Sequence, residues 1–289
     1  MSTTPPSPED LPALTRITAA LPSLLPSEAK AARYVLEDPA AAIDSTAQQM
    51  SEAVGVARST IIRMCRRLGY PGYPQFRVAL AREVPALSAT PGEQQRRDRS
   101  SSLAGEARHI LHGMDRALDG VTADQERRLI AALTAAQRLL VVANGQSVPS
   151  ALDFSTRLTA AGRPAEYIHD TLSQQIAARQ LRATDLCVVI SASGMNSLSL
   201  QTARAAAESP GVVVVLTSNT ESQLARLADL SIRVLPPVGS FREELEDTSR
   251  LHYTLAVESI CRLVREHLGQ RAETARALVF DVLSEVLVD

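Results

Sequence analysis

Three short apolar runs constrain the fold of this chain more strongly than any other feature of its sequence. They are Leu139–Ala143, Leu186–Ile190 and Val212–Leu216, and each is apolar at every position. Strands without alternation of apolar and polar residues are typical of parallel sheets, which are covered on both faces. Segments with helical periodicity lie between the runs. We therefore predict a doubly wound αβα domain with a sheet of about five parallel strands.

The other elements of this domain follow from weaker patterns. Two further strands are expected at Ala165–Ile168 and Leu230–Leu235. Helices are expected at residues 106–118, 122–136, 150–161, 172–181 and 197–208, and two C-terminal amphipathic helices at 243–268 and 273–288.

The first third of the chain has a different pattern. From Leu11 to Glu83, short helical segments are separated by Pro and Gly, whereas residues 84–105 are rich in Pro, Ser, Gln and Arg, as linkers are. We predict a two-domain chain of α plus α/β class. Its parts are an all-helical domain (residues 1–83), a linker (84–105) and the α/β domain with the C-terminal helices (106–289).

Composition excludes several classes of protein. The three cysteines, Cys65, Cys187 and Cys261, lie far apart in apolar runs, and no Cys/His pair has the spacing of a metal site. Buried free thiols in a reducing compartment are expected, with no metal and no cofactor. Residues 1–10 lack the basic and apolar segments of a signal peptide, and no apolar run reaches 18 residues. We expect a cytoplasmic protein that does not bind membranes.

Residues 45–70 have the pattern of a helix-turn-helix. Ser45 and Gln48 have the spacing of a capping box, and Gly55 lies where a helix would end in a left-handed residue. A second helix can begin near Ala57. Its buried stripe would consist of Ile61, Met64, Cys65 and Leu68.

The opposite face of the second helix is basic. Between Ala57 and Arg82 there are six arginines and no acidic residue. Arginine can bind guanine edges or phosphates, and Ile62 can contact a thymine methyl group in the major groove. The candidate DNA-binding residues are Arg58, Ser59, Thr60, Ile62, Arg63, Arg66 and Arg67. The alternative, a solvated basic face on an ordinary helical bundle, stays open on this pattern alone.

Two segments resemble the helix-turn-helix of RpiR-type regulators. These are Pro26–Leu36, which is similar to the family's first helix, and Val54–Tyr73, which is similar to its recognition helix and following turn. The resemblance implies that Arg58–Arg67 enters the major groove. One departure is Ala57, which stands where the family usually has Ser and which removes roughly 1 kcal/mol of helix capping.

Each of the three strong strands runs into a loop of small polar residues that precedes a helix. The loops are residues 143–147, 191–196 and 217–220, and in a parallel sheet they meet at the carboxyl edge, where such sheets bind ligands. Hydroxyls and helix N-terminal N–H groups suit an anion. Neither of the glycine-rich nucleotide motifs is present, so a phosphate monoester fits better than a nucleotide. Ordinary helix caps and tight turns are the alternative.

These loops resemble the phosphate-binding loops of the sugar isomerase (SIS) domain, over about residues 106–265. Gly145 and Ser147 match its Gly-x-Ser loop, and Asn196 occupies the Thr position of its second loop. Ala143 stands where the family often has another Gly. With Gln146 of the first loop added to the matched positions, the candidate ligand-binding residues are Gly145, Gln146, Ser147, Ser191, Ser193, Gly194, Asn196 and Thr217.

A helix-turn-helix followed by a SIS domain is the arrangement of RpiR-type regulators. It implies a non-enzymatic regulator of carbohydrate metabolism that binds double-stranded operator DNA with an affinity set by a sugar-phosphate effector. A half-site reader also needs a symmetric partner, so we expect a homodimer or a tetramer.

Two alternatives stay open. One is a regulator that senses a different ligand. The other is a SIS-fold isomerase, which would need a general base near the serine loops. The candidate bases are His169, His252, Glu244 and Glu258.

Overall fold

The computed structural model describes residues 11–84, 102–236 and 250–286. Within these ranges the chain forms two units, which divide between Glu106 and Ala107. Most of the predicted linker lies outside the described residues, so the predicted domain boundaries stay a prediction.

The first unit is helical throughout its described part. Its helices are α1 (Ala13–Ala20), α2 (Pro26–Glu37), α3 (Pro39–Asp44), α4 (Ala47–Val54), α5 (Arg58–Arg67) and α6 (Tyr73–Glu83). The predicted stripe of α5 is confirmed, because Ile61, Met64 and Cys65 are fully buried and Leu68 nearly so. They pack with Val35, Met50 and Phe76 in one apolar core.

The turn between α4 and α5 follows the prediction. Gly55 ends α4 in the left-handed conformation, with a φ of 70°, and its N–H donates to the carbonyls of Ser51 and Glu52. Ala57 precedes α5 and, as expected, its side chain caps no backbone N–H.

The predicted capping box of α4 is wrong by one residue. Thr46 rather than Ser45 caps the helix, by accepting from the N–H of Gln49, whose side chain accepts from the N–H of Thr46 in return. The hydroxyl of Ser45 instead donates to the Ala41 carbonyl at 2.7 Å, which completes the last turn of α3. Both residues can cap, and the end of the preceding helix decides between them.

The second unit contains one sheet of five parallel strands in the order β2-β1-β3-β4-β5. The strands are β1 (Leu139–Val142), β2 (Glu166–Tyr167), β3 (Leu186–Ile190), β4 (Val212–Thr217) and β5 (Leu230–Arg233). The predicted parallel sheet is confirmed. The two edge strands, β2 and β5, are shorter than predicted because each pairs on one side only.

Helices cover both faces of the sheet. On one face lie α8 (Ala123–Ala135), α9 (Val148–Ala160) and α12 (Leu251–Leu268), and on the other lie α10 (Thr171–Arg179) and α11 (Ser197–Ala207). α7 (Leu103–Leu111) precedes these helices in the chain, and α13 (Gln270–Val286), which is largely exposed, follows α12. Leu139 and Val141 of β1 pack in the same cluster as Phe154 of α9 and Tyr253 of α12. Leu140 and Val142 face the other cluster, which α10 and α11 complete. Both sets of strand residues are buried, which is why the strands do not alternate.

Several helix boundaries differ from those predicted, and among the described ends that of α7 differs most. α7 ends at Leu111, not near residue 118, because Gly113 adopts a φ of 80° and a short 3-10 turn follows at Met114–Arg116. The predicted C-terminal helix from residue 243 is described only from Leu251, and its expected beginning lies outside the described residues. Among the described helices, none is long and apolar enough to span a bilayer.

The three cysteines are free and buried, as predicted. Burial raises the pKa of each of the thiols of Cys65, Cys187 and Cys261 to about 12. Such thiols stay protonated and unreactive at neutral pH.

Candidate DNA-binding and ligand-binding sites

The predicted DNA-binding residues lie mostly on the exposed side of α5. Arg58, Ser59, Arg63, Arg66 and Arg67 are exposed, and Ile62 is half-buried. Thr60 differs, because it is 4% exposed and faces the interior of the unit. Its hydroxyl accepts from Nη2 of Arg63 at 3.1 Å. Thr60 therefore lies behind the basic face rather than on it.

The arginines of α5 divide into two kinds. Within the described part of the chain, the side chains of Arg58 and Arg66 form no hydrogen bond or ion pair. By contrast, Nε of Arg67 lies 3.2 Å from Oε2 of Glu28, and Nε of Arg63 lies 3.7 Å from Oε1 of the same carboxylate. Sequence reasoning did not single out Glu28, and its place in the first turn of α2 is the one local signal that marks it.

The loops after β1 and β3 lie at the switch point of the sheet, since β2 is placed on one side of β1 and β3 on the other. A crevice at this position is where open α/β sheets bind ligands. The β1 loop forms a 3-10 turn, Gly145–Ser147, and leads directly into α9. The β3 loop leads into α11, which Asn196 caps. The N-termini of α9 and α11 therefore lie at the same edge, and both favour an anion there.

Glycines allow the three predicted loops to approach each other closely. Gly145 and Gly194 have φ values of 65° and 63°, in the left-handed region. A Cβ atom on Gly145 would lie 3.5 Å from Nδ2 of Asn196, and one on Gly194 would lie 3.2 Å from Oγ1 of Thr217. The structure thus brings the β1, β3 and β4 loops together, as predicted for the carboxyl edge.

The hydroxyl and amide groups of these loops differ in how accessible they are. Ser193 is half-exposed, while Ser147 and Ser191 are buried at 7% and 3% exposure. Thr217 is fully buried, and its hydroxyl donates to the Ala192 carbonyl at 3.0 Å and accepts from a loop N–H.

Asn196 uses its amide oxygen to cap α11, by accepting from the N–H groups of Leu198 and Ser199 at 3.1 Å each. Asn196 and Thr217 therefore hold the loops in place. For these two side chains the structure shows helix-cap and turn contacts, which is what the alternative to ligand binding predicted.

A buried amide network beneath the site was missed by sequence reasoning. Asn144 donates to Gln174 at 3.2 Å and to Ser199 at 3.1 Å, and accepts from Thr171 at 3.0 Å. Gln174 is fully buried and also donates to the Ala143 carbonyl. The network ties the β1 loop to α10 and α11. The only sign of this network in the sequence is that an amide side chain occupies a position where a buried apolar residue is expected.

The beginning of α12 also reaches the site. Nη2 of Arg250 donates to Oε1 of Gln146 at 3.0 Å, and the hydroxyl of Tyr253 lies 3.1 Å from that of Ser218. A guanidinium group therefore lies beside the β1 loop. The sequence placed Arg250 within a long predicted helix and gave no reason to connect it with residue 146.

The candidate general bases have other neighbours. His169 is exposed and packs edge-on against Tyr167, with ring centroids 4.8 Å apart. Glu258 forms ion pairs with Arg262 at 3.2 Å and Arg157 at 4.0 Å. His252 is buried beside Tyr253, and Glu244 lies outside the described residues. In the part of the chain that is described, no group of three or more His, Cys, Asp or Glu residues is arranged to hold a metal ion.

Comparison with known proteins identifies both domains. Residues 12–86 match the helix-turn-helix domain of the rpiR family, and residues 132–256 match the SIS domain. Among curated proteins, the HTH-type transcriptional regulator HexR of Escherichia coli is 27% identical over 228 residues, which cover 78% of each chain.

Two solved structures share the fold. NanR of Vibrio vulnificus, solved in complex with ManNAc-6P, covers 96% of this chain and all of its own, with a TM-score of 0.76 and 19% identity. The sugar isomerase domain of an RpiR transcription factor from Sphaerobacter thermophilus covers 61% of this chain and 96% of its own, with a TM-score of 0.54 and 18% identity.

Proposed function

We propose that this chain, which belongs to the RpiR family of transcriptional regulators, binds operator DNA with an affinity that a phosphorylated sugar controls. One observation carries the proposal. The same chain has an arginine-rich, exposed recognition helix in one unit and hydroxyl-bearing loops that converge at the switch point of a parallel sheet in the other.

The DNA-binding part rests on α4 and α5. α5 has a fully buried back, and its front combines exposed arginines with Ser59 and Ile62. A helix of this kind fits the major groove, where arginine and small apolar side chains read base edges. Arg58 and Arg66 are the best placed of the predicted residues, because no neighbour among the described residues holds them.

The ligand part rests on charge and on hydrogen-bond donors. The N-termini of α9 and α11, the hydroxyl of Ser193 and the guanidinium of Arg250 lie around one edge of the sheet. All of them favour an anion, and a phosphate monoester offers several acceptor oxygens to such a set. The ManNAc-6P in the NanR complex supports a phosphosugar as the ligand class.

We also infer that the protein acts in the cytoplasm as a homo-oligomer, at least a dimer. α13 is exposed at every position from Phe280 to Val286, and this stretch includes Val282 and Leu283. An uncovered row of large apolar side chains marks a protein–protein interface. A second copy fits because one helix-turn-helix reads only half of a two-fold operator.

Regulation is favoured over isomerisation of the sugar. The arginine face of α5 has no use in an isomerase, and Glu258, a candidate base, is already paired with two arginines. Those pairs leave it poorly suited to remove a proton from a bound sugar.

Fluorescence anisotropy tests the proposal directly. Labelled duplexes from upstream of the protein's own gene and its neighbours are titrated with the protein, with and without a panel of sugar phosphates. We expect tight, salt-sensitive binding that one sugar phosphate shifts. If no member of the panel alters DNA binding, the proposed ligand class is contradicted. If no duplex is bound sequence-selectively, the proposed function as a regulator is contradicted.

A further inference from the structure

A carboxylate that no solvent reaches lies beside the recognition helix. Glu28, in the first turn of α2, is fully buried. Its Oε2 accepts from the N–H of Leu25 at 3.2 Å and lies 3.2 Å from Nε of Arg67. Its Oε1 is buried without a hydrogen-bond donor among the described residues, and the nearest cation to it is Nε of Arg63 at 3.7 Å.

The two arginines need such a partner. Arg63 and Arg67 are four residues apart on α5, so their like charges repel along one side of the helix. Their side chains are also long and lose rotamer freedom when they are held in place. A single carboxylate between them offsets the repulsion and limits the directions in which both can extend. Arg67 is restrained further, because its Nη1 lies 3.4 Å from the Ser23 carbonyl.

The restraint affects one side of α5 only. At 100° per residue, Ser59 and Arg66 lie at the centre of the exposed face, Arg63 and Arg67 lie toward its border with α2, and Arg58 and Ile62 lie toward the opposite border. Arg63 and Arg67 remain about half-exposed, at 57% and 48%. They can therefore meet DNA while their Nε atoms face Glu28.

We propose that Glu28 is a positioning residue for DNA recognition. It holds the guanidinium groups of Arg63 and Arg67 at the border of α5 and thereby fixes which bases the front of the helix reads. Without its charge, both arginines turn toward the nearest phosphates, which carry no sequence information. The protein then binds any DNA more readily and its preferred sequence less selectively. This inference rests on the proposed DNA-binding function.

The test compares Glu28→Gln with the wild-type chain. Glutamine keeps the size of the side chain and an oxygen that can accept from the Leu25 N–H, while the negative charge is lost and one acceptor oxygen becomes an NH2 donor. Glu37→Gln is the matched control, because Glu37 is an exposed carboxylate on the same helix. Each full-length protein first selects its preferred sequences from a random duplex library. Affinities for the wild-type consensus and for a scrambled duplex are then measured over a range of KCl concentrations.

We expect Glu28→Gln to lower the ratio of consensus to scrambled affinity by at least about tenfold, the size of one mismatched base pair. Its salt dependence should steepen by up to roughly 0.9 per arginine released to a phosphate. Glu37→Gln should leave both quantities at wild-type values. A purely structural role of Glu28 would instead lower both affinities together, without a steeper salt dependence, and would overturn the proposal.

The outcomes separate this inference from the function on which it rests. If the wild-type chain selects no sequence, the regulator function fails and the assignment of Glu28 fails with it. If the wild-type chain selects a consensus and Glu28→Gln selects the same one with the same ratio, only the assignment fails. If Glu28→Gln does not fold, Arg67→Gln tests the same ion pair by changing its exposed partner instead of its buried one. An unchanged consensus-to-scrambled ratio for that variant would overturn the assignment.

Discussion

Gly194 and Ser222 lie so close together that a Cβ atom on Gly194 would overlap the side chain of Ser222. The contact fixes the β3 loop against the segment that follows β4. Gly194 also adopts a φ of 63°, which costs about 1–2 kcal/mol for an L-residue. The loop that carries Ser193 therefore depends on the absence of a side chain at one position.

Gly194→Ala should therefore displace the β3 loop and abolish the response to sugar phosphate, while DNA binding persists. Gly269→Ala is the matched control, because Gly269 also has a positive φ, whereas a Cβ atom added there would meet no described atom within 4 Å. Isothermal titration with the active sugar phosphate measures the first effect and anisotropy on operator DNA the second. Equal ligand affinities for the two variants would contradict the steric explanation.

Ser193→Ala should weaken sugar-phosphate binding by roughly 10- to 100-fold. The half-exposed hydroxyl can donate to a phosphate oxygen, and a hydrogen bond to a charged group contributes about 1.5–3 kcal/mol. Ser284→Ala is the control, since Ser284 is an exposed serine on α13, outside the three loops and the helix N-termini that follow them. Ligand titration of both variants decides the matter, and an unaltered affinity for Ser193→Ala would remove Ser193 from the site.

Arg66→Ala should reduce operator affinity and make it less dependent on salt. If Arg66 neutralises one phosphate, the slope of log K against log salt falls by about 0.9; if it reads a guanine, discrimination at one base pair falls by about 1–3 kcal/mol. Arg127→Ala, which removes an exposed arginine of the α/β unit, is the charge-matched control. Anisotropy over a salt series distinguishes the two roles. If both the salt slope and the base-pair discrimination keep their wild-type values, Arg66 does not belong to the DNA interface.

Replacing Phe280 and Leu283 together by Glu should dissociate the oligomer. Both side chains are exposed, at 57% and 43%, on the second half of α13. Burying two carboxylates in an apolar interface is unfavourable, so a monomer should predominate at micromolar concentration. Light scattering after size exclusion measures the mass. Leu172→Glu, on α10, serves as the comparison, and an unchanged mass for the double variant would place the interface elsewhere.

Stability should fall as the pH rises above about 8.5. The thiol pKa of Cys187 is raised to about 12 in the folded chain, whereas an unfolded cysteine titrates near 8.5. Above that pH the unfolded state binds fewer protons, so its free energy falls relative to the folded state. Urea unfolding of wild-type and Cys187→Ala proteins between pH 8 and 11 tests this. The variant should lose less stability, by up to about 1.4 kcal/mol per pH unit, and parallel curves would refute the argument.

The sequence predicted the parallel sheet and the edge at which the candidate ligand-binding loops lie, because both follow from patterns among neighbouring residues. β1 and β3 are apolar at every position and β4 at every position before Thr217, so burial on both faces accommodates them. Gly145 and Gly194 lie in the loops that follow β1 and β3, which places them at the carboxyl edge. The caps were harder to predict, because Ser45 and Thr46 can each begin a helix and the last turn of α3 decides between them.

By itself, the sequence determined the class of each unit, the order of the strands along the chain and the arginine face of α5. These follow from periodicity and from residues a few positions apart, which the backbone brings together in any helix or strand. Tertiary structure alone decided that Glu28 meets Arg63 and Arg67, and that Arg250 meets Gln146. Such pairs join residues 35 or more positions apart, and only the packing of helices against each other or against a sheet edge creates them.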